Sequence, residues 1–407
     1  GQGGNQVKPF GALLSYEEAK KVVEANIKPV SAVETVALDD ASGRVLAEDV
    51  VAALNIPPFD RAAMDGYAVK ARDTFNSGQF RPKVLNVIGQ LNAGETPREK
   101  IAAGECVQIA TGAMMPKGAD SVVMVEDTES ADGRVKVFKS AYPGANVAKM
   151  GEDIRKGNPV LRSGVVLDSG KIGVLASQGT ARVRVYARPR VAVLPSGEEI
   201  VEIGDKLKPG QIYDINSHTV AAVVSASGGI PVRSGIVSDN REHIKSMITE
   251  ALKNDLVVIS GGSSVGERDL LVSVIEGWGE VLFHGIQVKP GKPTIFAMVE
   301  GKPLMGMPGY PTSCLINTYL FLLPAVRKMA HLPPRRGETV QARLSRRVPG
   351  SVGRRQFLTV KLEGDEAVPV FKESGAITST AEADGYIEIA ENIDLLEKGE
   401  PVTVTLF

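Results

Sequence analysis

NDLVVISGGSSVGERDL, residues 254–270, reads as a strand, a glycine loop and the start of a helix. The run from Leu256 to Ile259 is short, apolar and rich in β-branched residues, and it stops at a Gly/Ser loop, the pattern of a buried strand. Beyond the loop, Leu270, Leu271, Val274 and Ile275 recur at helical spacing, so a helix is expected from Leu270 to Trp278. Gly261, Gly262 and Gly266 carry no Cβ to keep an anion from backbone N–H groups, and a helix N-terminus behind them adds positive partial charge. On these residues alone, an ordinary strand-to-helix turn fits equally well. Neither standard phosphate loop matches. The spacing from Gly261 to Gly266 suits a P-loop, but Glu267 stands where that motif has its lysine, and Ser263 takes the second glycine of the dinucleotide fingerprint. A loop followed by Glu267, Arg268 and Asp269 suits an anion bridged to protein by a divalent cation.

Strands and helices alternate on both sides of this unit. Upstream, strand 191–194 ends in Pro195-Ser196-Gly197-Glu198-Glu199, and the loop 209–214 leads to a helix over 217–226. Strand 231–237 ends in Ser238-Asp239, with Asp239 or Asn240 as cap of a helix through Ile244 and Leu252. Downstream, strand 281–288 precedes Pro290-Gly291-Lys292-Pro293, a hairpin joins 295–298 to 304–307, and a long apolar helix covers 315–329. This alternation argues for an α/β sheet with right-handed crossovers. Glu199, Asp239, the glycine loop and Gly309 each follow a strand, which places them on the carboxyl edge where open α/β folds bind ligands. Two carboxylates, Lys289 and Lys292 and three Gly/Ser segments on one edge point to a phosphorylated ligand plus a cation.

The 407 residues are enough for two to four domains, and 43% hydrophobic content supports full cores. A net charge of -1 gives no electrostatic argument for nucleic acid or an anionic membrane surface. Cys106 and Cys314 lack metal spacing and read as core thiols of a reducing compartment, and the four histidines form no zinc pattern. No run reaches transmembrane length and the opening GQGGNQVKPFG is not a signal peptide, so the cytoplasm is expected. Ser15 and Glu18 form a capping box for a first helix with an apolar face of Val22, Val23 and Ile27. Residues 84–127 are β-rich, with a hairpin signal at Asp132-Gly133, and 339–407 read as a small β-sandwich or barrel. Arg354 and Arg355 read as a solvated basic turn, with contact to a ligand across a cleft as the alternative. Asp60 and Asp65 stand among apolar neighbours in PPFDRAAMDGYAV, residues 57–69, where a turn before Gly66 explains Asp65 on physical grounds alone. Glu152-Asp153, in a glycine-rich stretch over 144–164, reads as a solvated acidic pair.

PPFDRAAMDGYAV, Thr111-Gly112-Ala113, GEDIRKG, PSGEE, PGQIYDINS, SGGSSVGERD, KPGKPT and MPGYPTS, in this order, resemble the molybdopterin molybdenumtransferase family, the MoeA type shared with the E domain of gephyrin. The resemblance runs from about Ser15 to the C-terminus. It implies a multidomain α/β plus β fold, with a central MogA-like parallel or mixed sheet domain, two smaller N-terminal domains and a C-terminal β-barrel. The implied boundaries are 13–31 with 190–332 for the molybdopterin-binding α/β domain, 32–52 with 148–189 for a linking domain, 53–147 for a β-rich domain and 333–407 for the barrel. It further implies a homodimer with a shared active site, which hydrolyses adenylylated molybdopterin with release of AMP and inserts molybdate or tungstate with the help of Mg²⁺.

Carried over by position, the resemblance implies catalytic roles for Asp65, Asp153, Glu199, Asp239, Asp269 and Lys289, with Asp239 and Asp269 on the metal. Thr111, Ser196, Gly197, Asp214 and Asn216 would bind substrate, as would Gly261, Gly262, Ser263, Ser264 and Gly266 of the loop. So would Lys289, Gly291, Lys292, Pro308 and Gly309, the lysines neutralising phosphate or molybdate oxygens. Asp65, Thr111 and Asp153 would come from the neighbouring subunit. Three positions depart from the family pattern. Gly285 replaces a basic residue and leaves His284 as the substitute contact, Tyr310 replaces the usual Asn, and Ala62 a common Ser. Two alternatives are a molybdopterin adenylyltransferase, which would consume ATP, and a non-catalytic molybdopterin-binding scaffold. The Asp65 and Asp153 motifs argue against the first and the intact carboxylates against the second.

Overall fold

The structure, a computed structural model, describes residues 13–261, 265–370 and 376–407. They fall into two compact units, Thr35–Val185 and a second made of Tyr186–Phe407 with the described residues up to Glu34.

The second unit is built on a mixed six-stranded sheet in the order Ile230–Arg233, Arg190–Ser196, Leu256–Gly261, Lys302–Met307, Ile295–Val299, Glu280–His284. The first four strands run parallel, Ile295–Val299 runs opposite to them, and Glu280–His284, antiparallel to Ile295–Val299, returns to their direction. Side-chain alternation explains the layering. Val191, Val193, Leu256 and Val258 face a core shared with the Tyr16–Asn26 and Asn216–Ala226 helices and the helical stretch 311–329. Ala192, Leu194, Val257 and Ile259 face the Arg241–Ala251 and Val265–Glu276 helices. Each fully buried Val, Leu or Ile contributes about 1.5–3 kcal/mol of apolar burial.

The capping box is present, with Ser15 N donating to Glu18 Oε2 at 2.8 Å and Glu18 N to Ser15 Oγ at 3.2 Å. Four expected elements differ. The strand expected over 231–237 is continuous only over Ile230–Arg233, and Val237 returns as a lone bridge to Ser196. The helix expected from Leu270 begins at Val265, because its first turn carries no apolar repeat, and Gly266 is therefore helical. The strand expected over 281–288 ends at His284, and Val288–Lys289 pairs separately with Arg355–Gln356. The helix expected from Leu315 starts at Pro311 and passes through π-type winding at Thr318–Leu322, where Pro324 has no N–H to offer Leu320 O.

The described residues of 339–407 form a barrel. Arg355–Glu363, Glu366–Pro369, Thr339–Leu344, Pro401–Leu406 and Gly385–Ile389 pair in that order, and the last returns to the first.

The Thr35–Val185 unit carries its own six-stranded sheet, in the order Ser121–Met124, Gly66–Val69, Glu105–Ile109, Lys83–Leu91, Arg134–Val137, Thr128–Ala131. Asp132 and Gly133, at φ 52° and 73°, form the expected hairpin turn. A separate core joins Ala41 and Leu46 to Leu161, Leu167, Leu175, Val183 and Val185.

Candidate functional site

In the Thr35–Val185 unit, three sequence-distant motifs are hydrogen-bonded to one another. Ala62 pairs with Val147, and Gly112 N donates to Ala62 O at 2.8 Å. Gly151 N reaches Pro57 O at 2.9 Å, and Asp153 N reaches Ile56 O at 3.0 Å. Asp60 is the clasp, accepting from Met150 N at 2.8 Å and Lys149 Nζ at 3.0 Å. One oxygen of Asp65 accepts from both Thr111 N and Thr111 Oγ1 at 2.7 Å. The backbone bond first, then the hydroxyl, holds the Asp65 carboxyl below the usual carboxylate range. Asp153 is exposed, and its carboxylate has no partner among the described residues.

In the other unit the candidates line the carboxyl edge of the sheet. Ser196 aligns with Gly261 on one side and Val237 on the other. A Cβ on Gly261, at φ 128°, would lie 2.0 Å from Ser196 O, so the two strand ends meet backbone to backbone. A Cβ on Gly197 would lie 2.7 Å from Glu199 Oε2, which places the Glu199 carboxylate beside that glycine. Asn240, not Asp239, caps the next helix, accepting from Glu242 N at 2.9 Å and His243 N at 3.1 Å. The half-buried Asp239 carboxylate therefore stays unpaired among the described residues. Ser238 is held by the ring of His243, its N–H donating to Nδ1 at 3.0 Å. Asp269 is exposed on the Val265–Glu276 helix. Gly262, Ser263 and Ser264 lie outside the described residues.

Asp214 is buried, with its oxygens engaged by Ser217 and, at 3.4 Å, by Arg233. Glu202, Asp214 and His218 bring one ligand atom each within 4.8 Å, a metal-like cluster not singled out from sequence. Arg233 already supplies positive charge there, 3.0 Å from Glu202. Asn216 Nδ2 donates to Gly309 O at 2.8 Å and so fixes the turn before Tyr310.

A cavity of about 310 Å³ is lined by Lys289, Lys292, Pro308, Gly309, Tyr310 and Arg354, among others. Lys289 is placed by strand pairing with Gln356 at the start of the barrel. It is half-buried, and its ammonium has no ion pair among the described residues, an environment that favours an incoming anion. His284 is not among the lining residues; the third cation on this wall is Arg354, from the expected solvated turn. Arg355 departs from that expectation too. It pairs with Glu17 at 2.8 Å, Glu388 at 3.0 Å and Glu391 at 3.1 Å, because its strand start abuts the first helix. A larger groove of about 690 Å³ along the Tyr16–Asn26 helix touches none of the candidate residues, so its size does not make it the site.

The MoeA N-terminal region (domain I and II) profile matches residues 14–179, the profile described as "Probable molybdopterin binding domain" matches 199–328, and the MoeA C-terminal region (domain IV) profile matches 341–407. A molybdopterin molybdenumtransferase of Haemophilus influenzae is 33% identical over 97% of this chain and 99% of its own. One from Bacillus subtilis is 33% identical over 92% of this chain and 89% of its own. The crystal structure of a molybdopterin biosynthesis MoeA protein from Pyrococcus horikoshii has a TM-score of 0.85 and 45% identity, covering 97% of this chain and 99% of that one.

Proposed function

Since the chain belongs to the MoeA family of molybdopterin molybdenumtransferases, we propose that this transferase of molybdenum cofactor biosynthesis acts on adenylylated molybdopterin, releasing AMP as molybdate or tungstate enters the dithiolene. The observation that carries this reading is the 310 Å³ cavity, where Lys289, Lys292 and Arg354 stand on the same unit as the Asp239 carboxylate, unpaired among the described residues. Cations suit a tetrahedral oxyanion, and two carboxylates suit Mg²⁺, a hard ion that keeps several waters.

In this reading Asp239 and Asp269 hold Mg²⁺, which supplies charge neutralisation at the pyrophosphate when bound. Ser196, Gly197 and the loop from Gly261 to Gly266 take up phosphate, while Glu199 orients the pterin or metal-insertion end. Gly291, Pro308 and Gly309 shape the wall, with Asn216 and Asp214 supporting it. Asp65, Thr111 and Asp153 form a second half-site, which a homodimer would bring to the first from the partner subunit. The separate cores around Leu46 and Leu175, around Tyr67 and inside the barrel support four domains with boundaries near 32, 53, 148, 190 and 333. Free, buried Cys106 and Cys314 suit the cytoplasm. Among the described residues no helix is long and apolar enough to cross a membrane.

Mixing subunits tests the shared site. Asp65→Asn and Asp239→Asn homodimers should each be inactive, and co-refolding them should restore partial oxyanion-dependent AMP release, because one site of each heterodimer is then intact. No recovery in verified heterodimers would place both groups in one subunit's site. ATP consumption without AMP release from adenylylated substrate would instead favour the adenylyltransferase.

A further inference from the structure

Asn317 is fully buried at the end of the Pro311–Asn317 helix. A buried amide must find partners, and this one finds them on two different segments. Its Nδ2 donates to Ser313 O at 2.9 Å within the helix and to Pro290 O at 3.2 Å across a gap. Its Oδ1 lies 3.4 Å from Thr294 Oγ1, which also donates to Gly291 O at 2.8 Å. Gly291 has φ 106°, and a Cβ there would lie 1.7 Å from Asn317 Nδ2, so the amide rests directly on that backbone.

The segment held in this way is Lys289-Pro290-Gly291-Lys292, whose lysines line the 310 Å³ cavity. The helix that holds it starts at Pro311, directly after Pro308, Gly309 and Tyr310 of the same cavity. Immediately beyond Asn317 the helix changes to π-type winding, an irregularity that often accompanies functional sites. One side chain therefore ties the cation-bearing loop to the helix that follows the 308–310 turn.

We propose that Asn317 is the positioning residue of the oxyanion site: by fixing Lys289 and Lys292 against the 308–310 turn, it sets oxyanion affinity and the discrimination between molybdate and tungstate. Asn317 itself touches no substrate. The proposal rests on the reading of the two lysines as oxyanion contacts.

Asn317→Leu keeps the branched shape at a larger volume and removes every hydrogen bond, while Thr294→Val removes the tie to Asn317 Oδ1 together with the hydroxyl's own bond to Gly291 O. Steady-state AMP release is measured against molybdate, tungstate and adenylylated molybdopterin separately, with Lys289→Met alongside. The expected result for Asn317→Leu is a KM for oxyanion raised about tenfold or more, an altered molybdate-to-tungstate ratio, and a KM for the pterin substrate within twofold of wild type. Thr294→Val should show the same pattern at a few-fold, and it decides the matter if the leucine variant does not fold. Equal rises in both KM values, or no change in folded variants while Lys289→Met is impaired, would overturn the role of Asn317. A Lys289→Met enzyme with unchanged oxyanion KM would instead overturn the lysine reading beneath it.

Discussion

Lys289→Met should weaken the oxyanion and leave the fold intact, two effects that a structural lysine would not separate. The ammonium is half-buried on a cavity wall with Lys292 and Arg354, and it has no carboxylate partner among the described residues. Unit charges about 4 Å apart interact by about 4 kcal/mol at an effective dielectric of 20. Water and the remaining cations recover part of this, leaving about 2–3 kcal/mol, or roughly 30- to 150-fold in oxyanion affinity. Methionine preserves the stem, and no buried carboxylate is stranded, so unfolding free energy should stay within about 0.5 kcal/mol of wild type. Titration of AMP release against molybdate measures the first quantity and urea unfolding the second. An unchanged molybdate dependence, or a loss of stability of several kcal/mol with it, would refute the assignment of Lys289 to the anion.

Asp239→Asn and Asp269→Asn should each lower turnover strongly and raise the Mg²⁺ concentration needed, with circular dichroism unchanged; normal AMP release at saturating Mg²⁺ would remove that residue from the mechanism. Thr111→Val should raise the Asp65 pKa by removing the hydroxyl bond, read by NMR titration. Because the folded-state pKa of Asp65 is depressed, its stabilising effect exists above the unfolded value near 3.8 and is lost as pH falls through the folded value. The stability gap between wild type and Thr111→Val should therefore close in acid. Gly66→Ala would set a Cβ 1.8 Å from Val123 O on the neighbouring edge strand, and should cost about 3 kcal/mol or more, measured by thermal unfolding. Burial pushes the Cys106 and Cys314 thiols up to about 12, so neither should react with iodoacetamide at pH 8 until the protein is denatured.

The α/β unit was legible where periodicity and capping agreed. Leu256 to Ile259 and the Ser15 capping box announce their elements, and Glu199, Asp239 and Gly309 do follow the ends of strands that run parallel. Legibility failed where tertiary partners decide. Nothing local tells Asp239 from Asn240 as cap; the structure uses Asn240, which leaves Asp239 unpaired among the described residues. Val265 to Asp269 has no apolar repeat, so its helical turn is invisible to a periodicity argument. The short Val288–Lys289 strand exists only because the barrel offers Arg355 and Gln356 as partners, 67 positions away in register. Arg354 and Arg355 look alike in sequence, yet one lines the cavity and the other is surrounded by Glu17, Glu388 and Glu391. Asn317 sits in an apolar helical run and is recognisable only from the loop it touches.

The most direct test is AMP release from adenylylated molybdopterin by the purified protein with Mg²⁺, with and without molybdate or tungstate. Oxyanion-dependent release of AMP is the predicted result, and the oxyanion with the higher kcat/KM is the metal source the cavity prefers. AMP that stays bound regardless of oxyanion, with molybdopterin still held, would contradict the account.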